Sequence, residues 1–338
     1  MLRRMAITLT QLRSFVAVVE TGSVTAAADE LHVTQPSVSA AVSALSKELG
    51  VELTQRVGRN VELKDAGKAF APYASHVIGL LDQGGRASRE AAAAVDRELR
   101  IAAVTTAAEH IVPPLVKEFS ALRPELSLTV DVGNRERVFQ TLASHKADVA
   151  IGGRPPADGQ LIGKPFMKSP ILLITAPDDP LARRRTVPVS ELGQRPWLLR
   201  EPGSGTRMMT EEFLARHELR PPRLTMGSNG AIKQAARAGM GVALQHQATT
   251  ALELEHGMLG VIPLAEPLPV RDWFALWPST GPLLGPAEDF LDFAMSKRAK
   301  EHIEQFWVSG EIAPPRAAGG SRRKARAQKP KTRRPKAR

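Results

Sequence analysis

The spacing of apolar residues changes once along this chain, near Leu99, and that change most limits what the chain can fold into. Over residues 9–95 apolar side chains recur every three or four positions, which is typical of helices packed on one another. Beyond Leu99 short apolar runs alternate with amphipathic stretches, which predicts strands alternating with helices. The sequence therefore predicts a mostly helical N-terminal unit followed by an α/β unit whose parallel sheets are covered by helices on both faces.

The N-terminal unit is predicted to contain three short helices, a small hairpin and one long helix. Ser23 and Thr34 are candidate N-caps of the second and third helices, and Pro36 suits the first turn of the third. Residues 51–64 alternate weakly in polarity, which predicts the hairpin. The alanine-rich stretch at 65–95 predicts the long helix.

The second and third helices, with a short turn between them, have the spacing of a helix-turn-helix. The third helix carries apolar residues at 38, 42, 45 and 49, while Gln35, Ser37 and Ser39 make its other side small and polar. Small side chains let a backbone approach a DNA groove closely, and glutamine can form two hydrogen bonds with adenine. An ordinary three-helix bundle with a solvated serine-rich face has the same spacing, so this pattern alone leaves both interpretations open.

Two loops in the α/β unit carry candidate ligand-binding residues, because ligands of open α/β sheets bind at the ends of strands. One loop is Thr105-Thr106, after the strand predicted at 99–104. The other is the run 200–207, in which Gly203 and Gly205 leave backbone N–H groups accessible in front of a helix. A helix N-terminus preceded by such a loop can hold an anion. Plain helix capping with a glycine turn explains the same residues and is the commoner outcome.

The other predicted strands lie at 126–132, 148–152, 170–176, 197–200, 223–226, 241–245, 259–263 and 272–277.

The net charge of +11 comes entirely from the C-terminal segment 312–338, which carries eleven basic residues and no acidic residue. This segment has no apolar periodicity and is expected to be disordered. The first 60 residues carry six basic and five acidic groups, so we expect them to bind DNA weakly by themselves. We therefore favour a role of this segment in anchoring the protein to DNA over a role in solubility alone. Deletion of residues 313–338 should then flatten the salt dependence of DNA binding.

Several other classes of site are not indicated by the sequence. Cysteine is absent, and none of the eight histidines lies three or four positions from another, so no metal site is predicted. The glycine-containing run at 238–242 precedes a predicted strand and is read as a helix-ending turn, so no cofactor is expected. The chain shows no signal-peptide pattern and no apolar run of about 18 residues. A cytoplasmic protein without membrane contact and without catalytic activity is expected.

The run LTQLRSFVAVVETGSVTAAADELHVTQPSVS, which ends at Ser39, resembles the LysR-type transcriptional regulator family, and the Thr34-Gln35-Pro36-Ser37 segment is specific to it. The resemblance implies a winged helix-turn-helix at 1–64, a dimerisation helix at 65–96, and a two-lobed effector domain like that of periplasmic solute-binding proteins at 97–311. Lobe one would comprise 98–167 and 271–300, and lobe two 170–268. The partners it implies are double-stranded DNA, a small effector and a second copy of the chain, in a dimer or, by family habit, a tetramer.

The same resemblance assigns roles to individual residues. The residues expected to contact DNA, with the last two on the wing, are Ser23, Thr34, Gln35, Pro36, Ser37, Ser39, Arg56 and Arg59. The residues expected to bind the effector are Thr105, Thr106, Arg154, Arg200, Ser204, Gly205, Thr206 and Arg207. This chain departs from the family pattern at Ala40 and Ser46 of the recognition helix, and at Thr54 and Lys64 beside the wing.

Other segments look like the subgroup that controls RuBisCO and Calvin-cycle operons. They are Pro165-Phe-Met, the run at 199–207, the run at 227–235 and Pro269-Val-Arg-Asp-Trp-Phe. That subgroup responds to phosphorylated sugars, related anionic metabolites or NADPH, which implies a small anionic effector. Relatives that control sulfur assimilation share much of the pattern, so the effector stays open. The alternative function is a solute-binding receptor that has the two lobes but does not bind DNA.

Overall fold

The computed structural model describes residues 6–57, 60–92 and 97–308. Arg59, the end of the dimerisation helix at 93–96 and the basic segment 312–338 lie outside these described residues. The N-terminal elements are helices α1 (Leu9–Thr21), α2 (Val24–Leu31) and α3 (Gln35–Leu49), strands β1 (Thr54–Val57) and β2 (Asn60–Leu63), and the long helix α4 (Asp65–Ala92).

The short N-terminal helices begin and end where their capping residues stand. The Ser23 side chain accepts from the backbone N–H of Ala26 at the start of α2, and Thr34 accepts from that of Ser37 at the start of α3. Gly22 and Gly50 have positive φ and end α1 and α3. The buried side chains of α1 and α3, together with residues of α2 and α4, form one core cluster. Antiparallel β1 and β2 form the wing.

The α/β unit begins at residue 98 and contains nine strands and eight α-helices among the described residues. The strands are β3 (Glu98–Val104), β4 (Ser127–Gly133), β5 (Val149–Gly152), β6 (Leu161–Thr175), β7 (Trp197–Arg200), β8 (Arg223–Met226), β9 (Ala243–His246), β10 (Gly260–Val261) and β11 (Val270–Pro278). The helices are α5 (Thr105–His110), α6 (Val112–Leu122), α7 (Arg135–Ala143), α8 (Gly205–Arg216), α9 (Asn229–Arg237), α10 (Gln247–Glu255), α11 (Gly285–Met295) and α12 (Lys297–Val308).

The prediction of parallel sheets is only partly right, because strand pairing in this unit is mixed. β3 is parallel to β4 and β5, and β7 is parallel to β8. β11 is antiparallel to β5 and β6, and β6 is antiparallel to β9 and β10. The reason lies in β6, a strand of 15 residues where a short one was expected at 170–176. β6 leaves one lobe and enters the other, and β11 returns beside it in the opposite direction.

These crossing strands divide the unit into two lobes with separate cores. β6 pairs with β11 from Leu161 to Pro170 and then with β9 from Ile171 onward. The core of the first lobe contains the buried faces of β3, β5, α6 and α11. The core of the second lobe contains those of β7, α8 and β9. The two lobes are therefore joined at Pro170 and Val270, with a space between them where the strands cross.

The long helix α4 packs directly on the first lobe. A Cβ atom on Gly79 would lie 1.7 Å from the carbonyl oxygen of Ser144, so only glycine permits this approach of the two backbones. The Arg86 guanidinium donates to the Asp148 carboxylate at 2.7 Å, and Gln83 donates to the carbonyl oxygen of Pro282 at 2.9 Å. Among the described residues, no helix combines the length and the apolar character needed to cross a bilayer.

Candidate effector cleft and DNA-binding surface

A cleft of about 410 Å³ lies between the two lobes, within the size range of small-molecule sites. Its walls come from the start of α5 and the β4–α7 turn of lobe one, the start of α8 in lobe two, and the crossing strand β11. Seven of the eight residues predicted to bind an effector line it. They are Thr105, Thr106, Arg154, Arg200, Ser204, Gly205 and Thr206.

The lobe-two wall of the cleft is the first turn of α8. Ser204 occupies the N-cap position of this helix, but its side chain makes no capping hydrogen bond. The hydroxyls of Ser204 and Thr206 donate to no acceptor within the described part of the chain, and neither oxygen is sealed from solvent. The Ser204 side chain therefore does not act as a helix cap, although the sequence allowed that interpretation. A helix N-terminus with two free hydroxyls beside it presents several hydrogen-bond donors to a ligand.

The lobe-one wall carries cations that no carboxylate neutralises. Arg135 and Arg154 line the cleft and form no ion pair with any residue that the structure describes, whereas Arg271 pairs with Glu212 at 2.7 Å. Arg135 donates to the carbonyl oxygen of Arg154 at 3.1 Å. Burial and the neighbouring Arg271 lower the pKa of Arg135, and Glu212 acts in the opposite direction. A half-buried guanidinium that lies near a second arginine and has no ion-pair partner gains stability when an anion binds beside it.

Two of the arginines predicted to bind the effector already form ion pairs with acidic residues. Arg207 is absent from the cleft lining and lies in a second groove, where it pairs with Glu211 at 2.8 Å. Arg200 does line the cleft, but it is only 3% exposed and donates through Nε and Nη2 to both carboxylate oxygens of Glu201. Its charge is already compensated by Glu201, so it does not offer an unpaired cation to a ligand.

Sequence reasoning missed the residues at the back of the cleft, His246 and Trp273. Their rings lie 4.9 Å apart, and the Ser169 hydroxyl lies 2.7 Å from Nδ1 of His246. Burial, with smaller effects of Arg271 and His110, lowers the pKa of His246 to about 4, so the ring is neutral at pH 7. The Trp273 indole N–H is buried without a described partner. Both follow or lie within predicted strands, but only the crossing of β6 and β11 brings them together.

The missed cation Arg135 had a signal in the sequence. It follows Asn134, which caps α7 directly after a predicted strand, and strand ends of this kind were the criterion that selected the other two loops. No group of three or more described histidine or acidic residues could hold a metal ion.

Five of the eight predicted DNA-binding residues, from Thr34 to Ser39, lie together at the start of α3. Gln35, Ser37 and Ser39 are exposed, while Val38 and Val42 on the other side of α3 are buried in the core. The Thr34 and Ser37 hydroxyl oxygens are 2.8 Å apart. Ser23 caps α2, Thr34 and Pro36 are exposed at the start of α3, and Arg56 is exposed on the wing. Arg59 lies outside the described residues.

Two of the four positions that depart from the family pattern have side-chain partners in this chain. Lys64 forms an ion pair with Glu52 beside the wing. The Ser46 hydroxyl accepts from the backbone N–H of Leu53 at 3.4 Å, which helps to hold the segment between α3 and the wing. Ala40 is exposed on α3. No structural reason for alanine at that position is evident.

Comparison with known proteins matches both parts of the chain to one family. A model described as "Bacterial regulatory helix-turn-helix protein, lysR family" matches residues 9–68, and one described as "LysR substrate binding domain" matches residues 92–299, more than half of the chain. The chain belongs to the LysR family. As a LysR-type transcriptional regulator it joins a helix-turn-helix to an effector-binding domain, so the alternative of a solute receptor without DNA binding is wrong.

Relatives of this LysR-type regulator match over nearly their whole length. The transcriptional activator CmpR of Synechocystis is 32% identical over 89% of this chain and 99% of its own. The RuBisCO operon transcriptional regulator of Allochromatium vinosum is 35% identical over 88% of this chain and 99% of its own. These relatives confirm the resemblance to the carbon-fixation subgroup that the sequence suggested.

Two solved structures compare with different parts of the regulator. The regulatory domain of Synechocystis CcmR in complex with 2-PG is 31% identical, covers 59% of this chain and 96% of its own, and superposes with a TM-score of 0.56. Corynebacterium glutamicum OxyR, at 23% identity and a TM-score of 0.57, covers 91% of this chain and 97% of its own. The second likeness covers the helix-turn-helix, the long helix and the two lobes together, so it shows that the chain as a whole has the same fold as OxyR.

Proposed function

We propose that this LysR-type regulator controls carbon-fixation genes in response to a small anionic metabolite bound between its lobes. Two relatives in different organisms carry the name RuBisCO operon transcriptional regulator, at 35% and 31% identity. The related CcmR regulatory domain was solved with 2-PG. The proposal assigns the protein a cytoplasmic location, where its DNA target lies, and no catalytic activity.

The observation that carries the proposal is the pairing of uncompensated cations with free hydroxyls in one cleft. Arg135 and Arg154 face the cleft without an acidic partner among the described residues, and the Ser204 and Thr206 hydroxyls lie at the helix N-terminus opposite. Cations and helix N-termini both favour a negative ligand. An anion in the cleft would contact both lobes and would therefore stabilise their present separation.

The predicted DNA-binding residues are retained in this proposal. Gln35, Ser37 and Ser39 are exposed on one side of α3 and are proposed to enter the major groove, with Arg56 and Arg59 of the wing on the phosphate backbone. Dimerisation through α4, and a tetramer built from such dimers, are proposed as well. Supporting the dimer, Tyr73, Val77 and Leu81 recur every four positions and are 71%, 42% and 51% exposed.

Thermal unfolding with candidate anions tests the effector proposal. We expect 2-PG, phosphoenolpyruvate or a sugar bisphosphate to raise the melting temperature, because a ligand that binds only the folded state stabilises it. Thr206→Ala should abolish the rise, since it removes a free hydroxyl at the start of α8. Thr129→Ala, at an exposed position on β4 outside the cleft, is the matched control and should leave the rise intact. A rise that survives Thr206→Ala, or no rise with any of the three anions, would contradict the proposal.

A further inference from the structure

Asn229 joins the two lobes beside the cleft, and its side chain is not among the residues that the sequence selected. It is the first residue of α9 in lobe two and is 1% exposed. Its Oδ1 accepts from Nη1 of Arg200 at 2.6 Å. Its Nδ2 donates to Oγ1 of Thr106 in lobe one at 3.1 Å, and Glu109 of lobe one lies 3.4 Å away on the same side.

The orientation of this amide is fixed by the chemistry of its neighbours. A guanidinium can only donate hydrogen bonds, so the Arg200 side must face the amide oxygen. The amide nitrogen must then face lobe one, where the Glu109 carboxylate is an acceptor and the Thr106 hydroxyl oxygen can be one. Arg200 is itself held by Glu201 through two hydrogen bonds, so the amide cannot turn without breaking a buried network.

The direction of the Thr106 hydroxyl proton follows from this orientation. Its oxygen already accepts from Asn229, and the proton has no acceptor among the described residues. Thr106 lines the cleft, so the direction left for its O–H bond is toward whatever occupies the cleft. An anionic oxygen is the acceptor that forms the strongest hydrogen bond with such a donor.

We propose that Asn229 is a positioning residue for effector recognition, which turns the Thr106 hydroxyl into a donor aimed at an anionic oxygen of the ligand. This assignment rests on the proposed function of the cleft. Because Asn229 and Thr106 belong to different lobes, the donor is presented only while the lobes lie as close as they do here. Recognition of the anion and closure of the lobes therefore depend on the same hydrogen bond.

The test is Asn229→Asp, with the affinity for 2-PG measured by calorimetry on the full-length protein. The new carboxylate keeps the contact with Arg200 but can only accept at neutral pH, so it takes the Thr106 proton away from the cleft. The matched control is Asn134→Asp, which adds the same charge to the cleft lining. It also keeps the cap of α7, because Oδ1 of Asn134 accepts from the backbone N–H of Arg137. The contact that it loses, from Nδ2 to the carbonyl oxygen of Pro202 in lobe two at 3.5 Å, does not involve Thr106. We expect Asn229→Asp to weaken binding about ten-fold more than the control.

A second substitution shows whether the effect passes through Thr106. Thr106→Val should weaken 2-PG binding in the wild-type chain but have little further effect in the Asn229→Asp chain, because the hydroxyl no longer serves the ligand there. Thr106→Ser keeps the hydroxyl and should restore most of the affinity. Melting temperatures without ligand separate loss of binding from loss of folding.

The outcomes distinguish this assignment from the function on which it rests. Suppose that the wild-type chain binds 2-PG. If Asn229→Asp weakens this binding no more than Asn134→Asp does, or if Thr106→Val weakens it equally in the wild-type and Asn229→Asp chains, the role of Asn229 is overturned but the effector site is not. If the wild-type chain binds no 2-PG, the proposed effector site is overturned and the role of Asn229 falls with it.

Discussion

At the scale of the residue, His145 is a buried titratable group whose environment disfavours its protonated form. It is 2% exposed in the turn after α7, and neither ring nitrogen has a described hydrogen-bond partner. Burial, followed by the positive or protonatable groups His76, Arg86 and Arg100, lowers its pKa from 6.5 to about 4, while Asp148 acts in the opposite direction. The folded protein therefore keeps this ring neutral in a pH range where the unfolded chain would protonate it.

The sign of the resulting pH dependence is fixed by that difference. The stability that His145 contributes is fully present above about pH 6.5 and is lost as pH falls toward 4, because only the unfolded chain takes up the proton. At pH 5 the loss amounts to about 2 kcal/mol. In urea unfolding at pH 7.5 and pH 5, His145→Asn should reduce the difference between the two free energies of unfolding by about that amount.

Asparagine suits this substitution because the backbone of His145 has a φ of +53°, which asparagine tolerates. Part of the pH dependence should remain in the variant, since His246 also has a pKa lowered to about 4. If the free energy of unfolding falls between pH 7.5 and pH 5 by the same amount in His145→Asn as in the wild-type chain, His145 does not contribute to the pH dependence.

At the scale of the element, α4 has two faces with different tasks. One face carries Gly79, Gln83 and Arg86 onto lobe one. Another face carries Tyr73 and Leu81, which are 71% and 51% exposed. This exposed face is where a second copy is proposed to pack.

Leu81→Glu should weaken self-association, because it places a charge on the exposed apolar face of α4 that is proposed to be buried between two copies. Analytical ultracentrifugation over a concentration series should show a dissociation constant raised about ten-fold or more. Leu252→Glu is the matched control, since Leu252 is a comparably exposed leucine on a helix of lobe two, at 63% exposure. Equal association states of the two variants would argue against dimerisation through α4.

The sequence predicted those helices and strands whose positions are determined by neighbouring residues. The caps at Ser23 and Thr34 and the strand at 197–200 follow from neighbouring residues, and they lie where they were expected. The length of β6 did not follow, because Pro170 and the polar residues before it interrupt the apolar run that defines a strand. Its pairing with β11, about a hundred residues later, is a long-range contact with no trace in local spacing.

The candidate site shows the same division between local and long-range signals. Thr105 and Ser204 were found because each follows a strand and precedes a helix. The compensation of Arg200 by Glu201 could have been suspected from their adjacency, but its second partner Asn229 could not. The position of Arg207 on the outer side of α8 depends on the helix rotation relative to the cleft, which residue types alone do not set.

At the scale of the whole molecule, the long helix α4 connects the helix-turn-helix to lobe one, and we propose that it couples ligand binding to DNA binding. Its first turns belong to the helix-turn-helix core, where Ala71 and Ala74 are buried, and its later turns are fixed to lobe one. An anion that holds the two lobes together therefore acts on a body to which the DNA-reading helix is attached. Equilibrium coupling of this kind commonly changes affinity by five-fold or more.

The most direct measurement of this account is the affinity of the full-length protein for duplex DNA from upstream of its own gene, with and without saturating 2-PG. We predict that 2-PG changes the apparent dissociation constant by about five-fold or more, and that Thr206→Ala binds the DNA but no longer responds to 2-PG. A wild-type protein whose affinity and footprint are the same in both conditions would contradict the coupling of anion binding to DNA binding.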